Sequence, residues 1–221
     1  MPAPSILLFN GTGTSPNDVA AFESILRAGT LDYATADSRQ LDGMSEQQLK
    51  SHRLLIVPGG NFVEIGKGLA PRTSVALHRS VLGGMNYLGV CAGAFFAGNS
   101  PYNGLNLTSG VRFGFYSLEG RGVRKAAVPI VVPGSQPLDH YWEDGPELTG
   151  WGDVVAKYPD GTPAVVQGSV GAGWVILVGT HPEAPESWQH GMTFTTPADA
   201  ANSYASTLIG AALRGTRLPH Y

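Results

Sequence analysis

The single cysteine of the chain, Cys91, occurs in the sequence Gly89-Val90-Cys91-Ala92-Gly93. Glycine two residues before and two residues after a nucleophile is typical of the sharp strand-to-helix turn that exposes it, because side chains there would meet neighbouring backbone. The amides at the start of the following helix would favour the thiolate, which is the reactive form of cysteine. An isolated cysteine is more often a small buried residue, so the nucleophile hypothesis needs further residues.

His181 and Glu183 are the groups that such a nucleophile requires. They lie in the sequence Gly-Thr-His-Pro-Glu at 179–183, directly after an apolar run. Residues two apart in an extended segment project to the same side, so Glu183 can orient the His181 imidazole. A cysteine with a base and an acceptor for that base predicts nucleophilic catalysis, in which His181 takes the proton of Cys91.

A third candidate is the turn Pro-Gly-Gly-Asn at 58–61, which follows the apolar run 53–57. Acyl transfer needs N–H donors directed at the oxyanion that develops on the substrate. The backbone at Gly59 or Gly60 could supply one donor and the Ala92 amide the other. All three turns follow predicted strands, and open α/β sheets bind ligands at the carboxyl ends of their strands. We therefore expect one active site.

The apolar periodicity predicts an α/β fold with a mostly parallel sheet and an antiparallel extension in the second half. The predicted strands cover residues 5–10, 31–36, 53–57, 85–90, 107–118, 124–132, 154–158, 163–167 and 173–179. Predicted helices cover residues 16–29, 45–50, 72–82, 92–97 and 197–214, the first of them capped by Ser15. The turn Asp160-Gly161 predicts a hairpin. No linker divides the chain, so we expect one domain over residues 1–221.

Composition excludes several classes of function. The 221 residues are 43% hydrophobic and 14% charged with a formal net charge of −3, which argues against a nucleic-acid partner. The absence of a long apolar run and of a signal peptide predicts a cytoplasmic protein without a membrane partner. The six histidines show no metal-binding spacing, so we expect no metal and no cofactor. A homodimer is left open.

Four further segments are weaker candidates. The loop that contains Asn10, Gly11 and Thr12 lacks the lysine of a nucleotide-binding loop but could border a substrate pocket together with Gly59 and Asn61. The aromatic and polar segments 114–117 and 140–143 are expected in surface loops, with the lining of a pocket as the alternative for either. In the segment 92–97, the two phenylalanines could be core residues or form the floor of an apolar pocket, and we expect at least one of them to lie in the core.

Together, these motifs resemble the class I glutamine amidotransferase-like superfamily. Gly-Val-Cys-Ala-Gly, Val-Pro-Gly-Gly and His-Pro-Glu carry the resemblance; the sequences Asn-Gly-Thr-Gly at 10–13 and Asp-Gly-Thr-Pro-Ala at 160–164 point to the branch named after the N-terminal domain of biotin-protein ligase. The resemblance implies a flavodoxin-like three-layer sandwich with a triad of Cys91, His181 and Glu183, and oxyanion amides at Gly60 and Ala92. Glutamine-using members carry a glutamine shortly after the elbow, where this chain has Ala-Phe-Phe-Ala.

The expected function is a stand-alone cysteine-dependent hydrolase or acyl transferase that attacks a small-molecule amide or related carbonyl and forms a thioester. Two alternatives remain. One is a non-catalytic or redox-sensing module that retains the elbow, since an exposed thiolate is readily oxidised. The other is a lyase or hydratase that uses the same cysteine on a different electrophile.

Overall fold

The computed structural model describes residues 3–221; Met1 and Pro2, on which the signal-peptide expectation partly falls, lie outside the described residues. The strands of the described chain are β1 (Ile6–Phe9), β2 (Tyr33–Ala36), β3 (Leu54–Val57), β4 (Asn86–Val90), β5 (Gly114–Phe115), β6 (Lys125–Ile130), β7 (Leu138–Glu143), β8 (Pro146–Glu147), β9 (Asp153–Lys157), β10 (Pro163–Val170) and β11 (Gly173–Val178). Its α-helices are α1 (Pro16–Ala28), α2 (Ser38–Gly43), α3 (Glu46–Leu49), α4 (Phe62–Lys67), α5 (Pro71–Leu82), α6 (Ala92–Ala97) and α7 (Ala198–Arg214).

Seven strands form one central sheet in the order β2-β1-β3-β4-β11-β10-β9. The first five strands in this order, β2, β1, β3, β4 and β11, are parallel to one another. The strand β10 pairs antiparallel with both β11 and β9. The predicted α/β fold, with a mostly parallel sheet and an antiparallel extension, is confirmed. No helix within residues 3–221 has both the length and the apolar character to cross a membrane.

Helices cover both faces of this sheet. Side chains alternate along β1, so that Leu7 and Phe9 pack into one apolar cluster while Ile6 and Leu8 pack into another. The first cluster includes residues of α5 and α6, and the second includes residues of α1 and α7. Because both faces are buried, β1 and β3 are uninterrupted apolar runs, as expected for central parallel strands.

The register of three neighbouring strands brings their carboxyl ends together. Val57 of β3 and Leu177 of β11 both lie opposite Gly89 of β4. One residue beyond β4, the Cys91 amide donates to the Val178 carbonyl at 2.8 Å. The turns that follow β3, β4 and β11 therefore meet at one edge of the sheet.

The prediction of a strand over residues 107–118 is wrong. Most of this segment forms turns, and only β5 pairs, in a short antiparallel contact with β8. Ser109 and Gly110 have positive φ angles of 54° and 93°, which reverse the chain. Leu107 and Phe113 are each buried although the backbone between them is not extended. Their apolar side chains account for the strand-like pattern in the sequence.

The expectation of a surface loop over residues 140–143 is also wrong. These residues lie in β7, which pairs antiparallel with β6 outside the central sheet. His140 and Trp142 have no exposed surface. Each has a polar atom paired inside the protein, since His140 Nδ1 is 2.8 Å from Thr180 Oγ1 and Trp142 Nε1 donates to the Gly145 carbonyl at 3.3 Å. Tertiary contacts thus stabilise a strand whose polar residues suggested a loop.

Candidate active site

Cys91 lies in a strained turn between β4 and α6. Its backbone angles are φ 49° and ψ −105°, in a region that non-glycine residues rarely adopt. The side chain is 5% exposed, and the Sγ thiol donates to the Glu143 carbonyl at 3.5 Å. The strained backbone at the end of a parallel strand projects the sulfur into the space above the sheet edge, where a nucleophile could meet a substrate.

The glycines beside Cys91 provide the clearance expected from the sequence. A Cβ atom at Gly93 would collide with the Val57 carbonyl oxygen, because α6 passes directly over the end of β3. A Cβ atom at Gly89 would lie 2.5 Å from the Gly93 carbonyl oxygen. The two glycines therefore allow the strand and the helix to approach closely enough for the turn to form.

His181 and Glu183 follow β11 and lie side by side. Glu183 Oε1 is 2.9 Å from His181 Nδ1, and both side chains are almost completely buried. The His181 amide donates to the Tyr141 carbonyl at 2.8 Å, which connects this segment to β7. The backbone pairing with β7 and the contact with Glu183 hold the imidazole at the edge of the sheet.

Asp18 is a second carboxylate on the same imidazole nitrogen, and the sequence reasoning missed it. Its Oδ1 atom lies 3.0 Å from His181 Nδ1. The sequence analysis assigned no functional role to Asp18. A signal was present, because Asp18 shares the buried face of α1 with Ala21, Phe22 and Leu26. An acidic residue on an apolar helix face needs a partner inside the protein.

Gly59 explains how the two carboxylates and the imidazole fit together. A Cβ atom at this position would collide with Asp18 Oδ1 and lie 2.6 Å from His181 Cε1. The Ser15 amide donates to the Gly59 carbonyl at 3.0 Å, which fixes the start of α1 against the turn after β3. The absence of a side chain at Gly59 therefore leaves the space in which Asp18 contacts His181.

The charges of this cluster act on one another. Burial lowers the pKa of His181, but the negative charges of a Cys91 thiolate, Glu183 and Asp18 outweigh burial and raise it well above its ordinary value. Burial raises the pKa of Asp18, but attraction to His181 lowers it below the ordinary value. Burial raises the pKa of Glu183, and the Asp18 charge adds to this effect against the attraction of His181. Asp18 is therefore the more acidic of the two.

One cavity, of about 680 Å³, connects these groups. Cys91, His181 and Asp18 line it together with the two residues expected to supply oxyanion amides, Gly60 and Ala92. Gly60 has a φ angle of 140°, which a side chain would disfavour. The volume suits a small molecule.

The other expected binding residues are placed differently. Asn61 lines the cavity, and its Oδ1 atom also caps α4 by accepting from the Val63 amide at 3.0 Å. Asn10, Gly11 and Thr12 are not among the residues that line it. The Thr12 amide instead donates to Ser38 Oγ at 3.0 Å, so this loop packs against the start of α2.

The two phenylalanines that follow the elbow have different environments. Phe96 is 1% exposed and belongs to the apolar core, which confirms that at least one of the pair is a core residue. Phe95 belongs to the same core, but it is 6% exposed and also lines the cavity that contains Cys91. The position one turn after the nucleophile therefore contributes the edge of an aromatic ring to the cavity.

Asp18, His181 and Glu183 also form a group that could hold a metal ion. Each contributes one ligand atom, and these atoms lie within 4.8 Å of one another. A cation there would bind His181 Nδ1 and displace its hydrogen bond to Glu183. The donor set suits a divalent ion such as zinc, but the same atoms already orient the imidazole.

Comparisons with known proteins agree with this architecture. Residues 4–103 match the family model described as biotin-protein ligase, N terminal. A crystal structure of a glutamine amidotransferase is similar with a TM-score of 0.63 and 20% identity, over 81% of this chain and 90% of that chain. The crystal structure of a putative GMP synthase component from Thermoplasma acidophilum has a TM-score of 0.55 and 11% identity, over 94% of this chain and 98% of that chain.

A large glycosidase contains a similar unit. The exo-beta-1,4-mannosidase from Opitutaceae bacterium strain TAV5 matches with a TM-score of 0.60 and 16% identity, over 95% of this chain but 36% of that chain. A search of curated proteins found no match. The chain has a class I glutamine amidotransferase-like fold, and over residues 4–103 it resembles the N-terminal family of biotin-protein ligase.

Proposed function

We propose that this protein is a cysteine-dependent hydrolase or acyl transferase that acts on the amide or a related carbonyl group of a small molecule. One observation carries the proposal. His181 Nδ1 lies 2.9 Å from Glu183 Oε1 and 3.0 Å from Asp18 Oδ1, while His181 and Cys91 line the same cavity. A buried imidazole held in this way beside a strained cysteine has the geometry of a base that serves a nucleophile.

The carboxylates determine which imidazole nitrogen is reactive. Since Nδ1 faces Glu183 and Asp18, Nε2 is the nitrogen left to exchange a proton with the Cys91 thiol. The raised pKa of His181 favours the imidazolium form once the proton has been transferred. In this proposal Glu183 and Asp18 are positioning residues, because they act on the substrate through His181.

The proposed reaction consists of two acyl transfers, first to Cys91 and then to water. His181 Nε2 takes the thiol proton, and the Cys91 thiolate attacks the carbonyl carbon to form the S–C bond. The C–N bond then breaks, and the imidazolium gives its proton to the leaving amine. A water molecule, deprotonated by His181, attacks the thioester and releases the carboxylic acid, and the proton returns to Cys91. An amine in place of water would give acyl transfer.

The Gly60 and Ala92 amides are the proposed oxyanion donors. Both residues line the cavity with Cys91, and Ala92 is the first residue of α6. Backbone donors of this kind stabilise the charge that develops on the carbonyl oxygen, and one donor is worth roughly 100- to 1000-fold in rate.

Alkylation of Cys91 by iodoacetamide tests the proposal. Cys91 is the only cysteine, so mass spectrometry of the intact protein reports on this residue alone. At neutral pH we expect rapid labelling of the wild type and slow labelling of His181→Ala. Cys91→Ala gives the background. Equal, slow labelling of wild type and His181→Ala would contradict the proposed base.

Incubation with glutamine and measurement of released ammonia tests the substrate that the fold suggests. Ammonia release that disappears in Cys91→Ser would identify a glutaminase. Its absence, with His181-dependent labelling intact, would leave a cysteine-dependent enzyme that acts on another carbonyl compound.

A further inference from the structure

Four aromatic side chains form one wall of the cavity that contains Cys91. This aromatic wall consists of Phe62, Phe95, Tyr102 and Phe115. Phe62 and Phe95 are stacked, with ring centroids 4.6 Å apart and an interplanar angle of 23°. Phe115 lies 4.9 Å from Phe95, and Tyr102 lies 6.2 Å from Phe62. The rings thus form one continuous apolar surface.

The elements that supply the reactive groups also supply this surface. Phe62 is the first residue of α4, two positions after Gly60. Phe95 lies on α6, four positions after Cys91, and both residues line the cavity. A group attached to a carbonyl at Cys91 would therefore be close to these rings.

Part of the aromatic wall is exposed to solvent. Phe115 is 44% exposed and Tyr102 is 39% exposed, although both are large apolar side chains. They border a concave cavity and do not lie singly on a convex surface. An apolar group that enters the cavity would remove this aromatic surface from water, which favours binding.

Several polar groups at the border of the cavity already have partners within the protein. Of the lining residues, Glu143 accepts the Tyr141 hydroxyl hydrogen at Oε2, and Asp144 pairs with Arg124 at 3.4 Å. Asn61 Oδ1 accepts from backbone amides of α4.

Arg112 also lines the cavity and has no hydrogen bond or ion pair within residues 3–221, so a polar end of a substrate could bind there. An apolar group would instead contact the exposed rings of Tyr102 and Phe115.

We propose that the aromatic wall binds the acyl side chain of the substrate, and that the substrate class is an amide of an aromatic or bulky apolar carboxylic acid. This inference rests on the proposed function. A glutamine side chain needs hydrogen-bond partners, whereas an aromatic or bulky apolar side chain can be enclosed by the rings.

Protection of Cys91 from iodoacetamide tests the inference without requiring turnover. The rate of alkylation is measured at increasing concentrations of 3-phenylpropanamide, acetamide and glutamine. We expect 3-phenylpropanamide to halve the rate at a concentration about 10-fold or more below those of the other two, since enclosing an apolar group is worth roughly 10- to 200-fold in discrimination. Equal protection by all three, or stronger protection by glutamine, would overturn the inference.

Two variants connect the effect to the wall. Phe115→Ala removes an exposed ring and should reduce the advantage of 3-phenylpropanamide over acetamide. Leu82→Ala removes a side chain of similar exposure, 43%, that does not line the cavity. This variant should retain the advantage of 3-phenylpropanamide over acetamide. An unchanged advantage in Phe115→Ala would contradict the role of the wall.

The two proposals fail differently. Labelling that is independent of His181 overturns the proposed function and, with it, the inference. His181-dependent labelling without preferential protection overturns the inference alone.

Discussion

Asp18 Oδ1 lies 3.0 Å from His181 Nδ1, the nitrogen that Glu183 Oε1 also approaches at 2.9 Å. One N–H group cannot donate fully to two acceptors. Asp18 Oδ1 and Glu183 Oε2 both lack a hydrogen-bond partner among residues 3–221. Burial and the Asp18 charge raise the pKa of Glu183, whereas attraction to His181 lowers the pKa of Asp18, so the two carboxylates differ in acidity.

Asp18→Asn should lower the pKa of His181, because it removes a negative charge beside the imidazole. The raised pKa favours the imidazolium in the folded protein, so its stabilising contribution is complete below the unfolded pKa and is lost as pH rises through the folded pKa. In Asp18→Asn this loss, and the alkaline limb of activity, should move to lower pH. NMR titration of the histidine side chains measures the change.

Asp32→Asn is the matched control, since Asp32 is exposed and far from the cavity lining. An unchanged His181 titration in Asp18→Asn would show that Glu183 alone sets the charge of the imidazole.

Gly59→Ala should disable the site without removing any functional group. The new Cβ would collide with Asp18 Oδ1 and crowd His181 Cε1, so the imidazole must move. Displacement of a catalytic group by about 1 Å can cost on the order of 100-fold in rate. The rate of Cys91 alkylation measures the loss, and Gly43→Ala, where a Cβ meets nothing within 4 Å, is the control. Equal rates in both variants would refute the role of Gly59.

Gly93→Ala should destabilise the fold. Its Cβ would collide with the Val57 carbonyl oxygen, so α6 would have to move away from β3. Overpacking of this kind costs about 1–3 kcal/mol in the free energy of unfolding, or more where backbone must shift. Urea denaturation measures the loss against Gly120→Ala, where a Cβ has open space. A change below about 0.5 kcal/mol, typical of neutral surface substitutions, would contradict this account of the elbow.

The buried His140 should lower the free energy of unfolding of the protein at acid pH. Burial lowers its pKa from 6.5 to about 3, with the Asp139 charge opposing and the His181 charge adding to the effect. As pH falls below 6.5 the unfolded chain binds a proton that the folded protein excludes, which costs up to about 1.4 kcal/mol per pH unit.

The free energy of unfolding of His140→Gln should therefore vary less between pH 6.5 and 4 than that of the wild type. His220→Gln, at an exposed position, should keep the wild-type slope. Identical slopes in wild type and His140→Gln would show that His140 is protonated in the folded protein.

Treatment with EDTA should leave the rate of Cys91 alkylation unchanged. Asp18, His181 and Glu183 have the spacing of a metal site, but the proposed reaction uses Nδ1 to orient His181. A slower rate after EDTA, restored by zinc, would assign the cluster to metal binding.

Local patterns were sufficient for the elements on which the fold depends. Ser15 caps α1 with Pro16 at its start and Gly29 at its end, and the predicted Asp160-Gly161 turn joins two antiparallel strands. The apolar runs of β1, β3, β4 and β11 predict buried parallel strands because no polar face interrupts them. Cys91 and the His181–Glu183 pair could be found in the same way, since each depends on residues adjacent in sequence.

Long-range packing decided the rest. Asp18 and His181 are 163 positions apart in the sequence. They come into contact only because α1 packs beside the turn at Gly59. Likewise β7 becomes a strand because His140 and Trp142 find partners inside the protein. The sequence by itself therefore determined the parallel sheet, the elbow and the pairing of His181 with Glu183, because these follow from local spacing. Only the tertiary structure brought Asp18 and the aromatic wall to Cys91, because contacts between distant segments depend on how helices and strands pack.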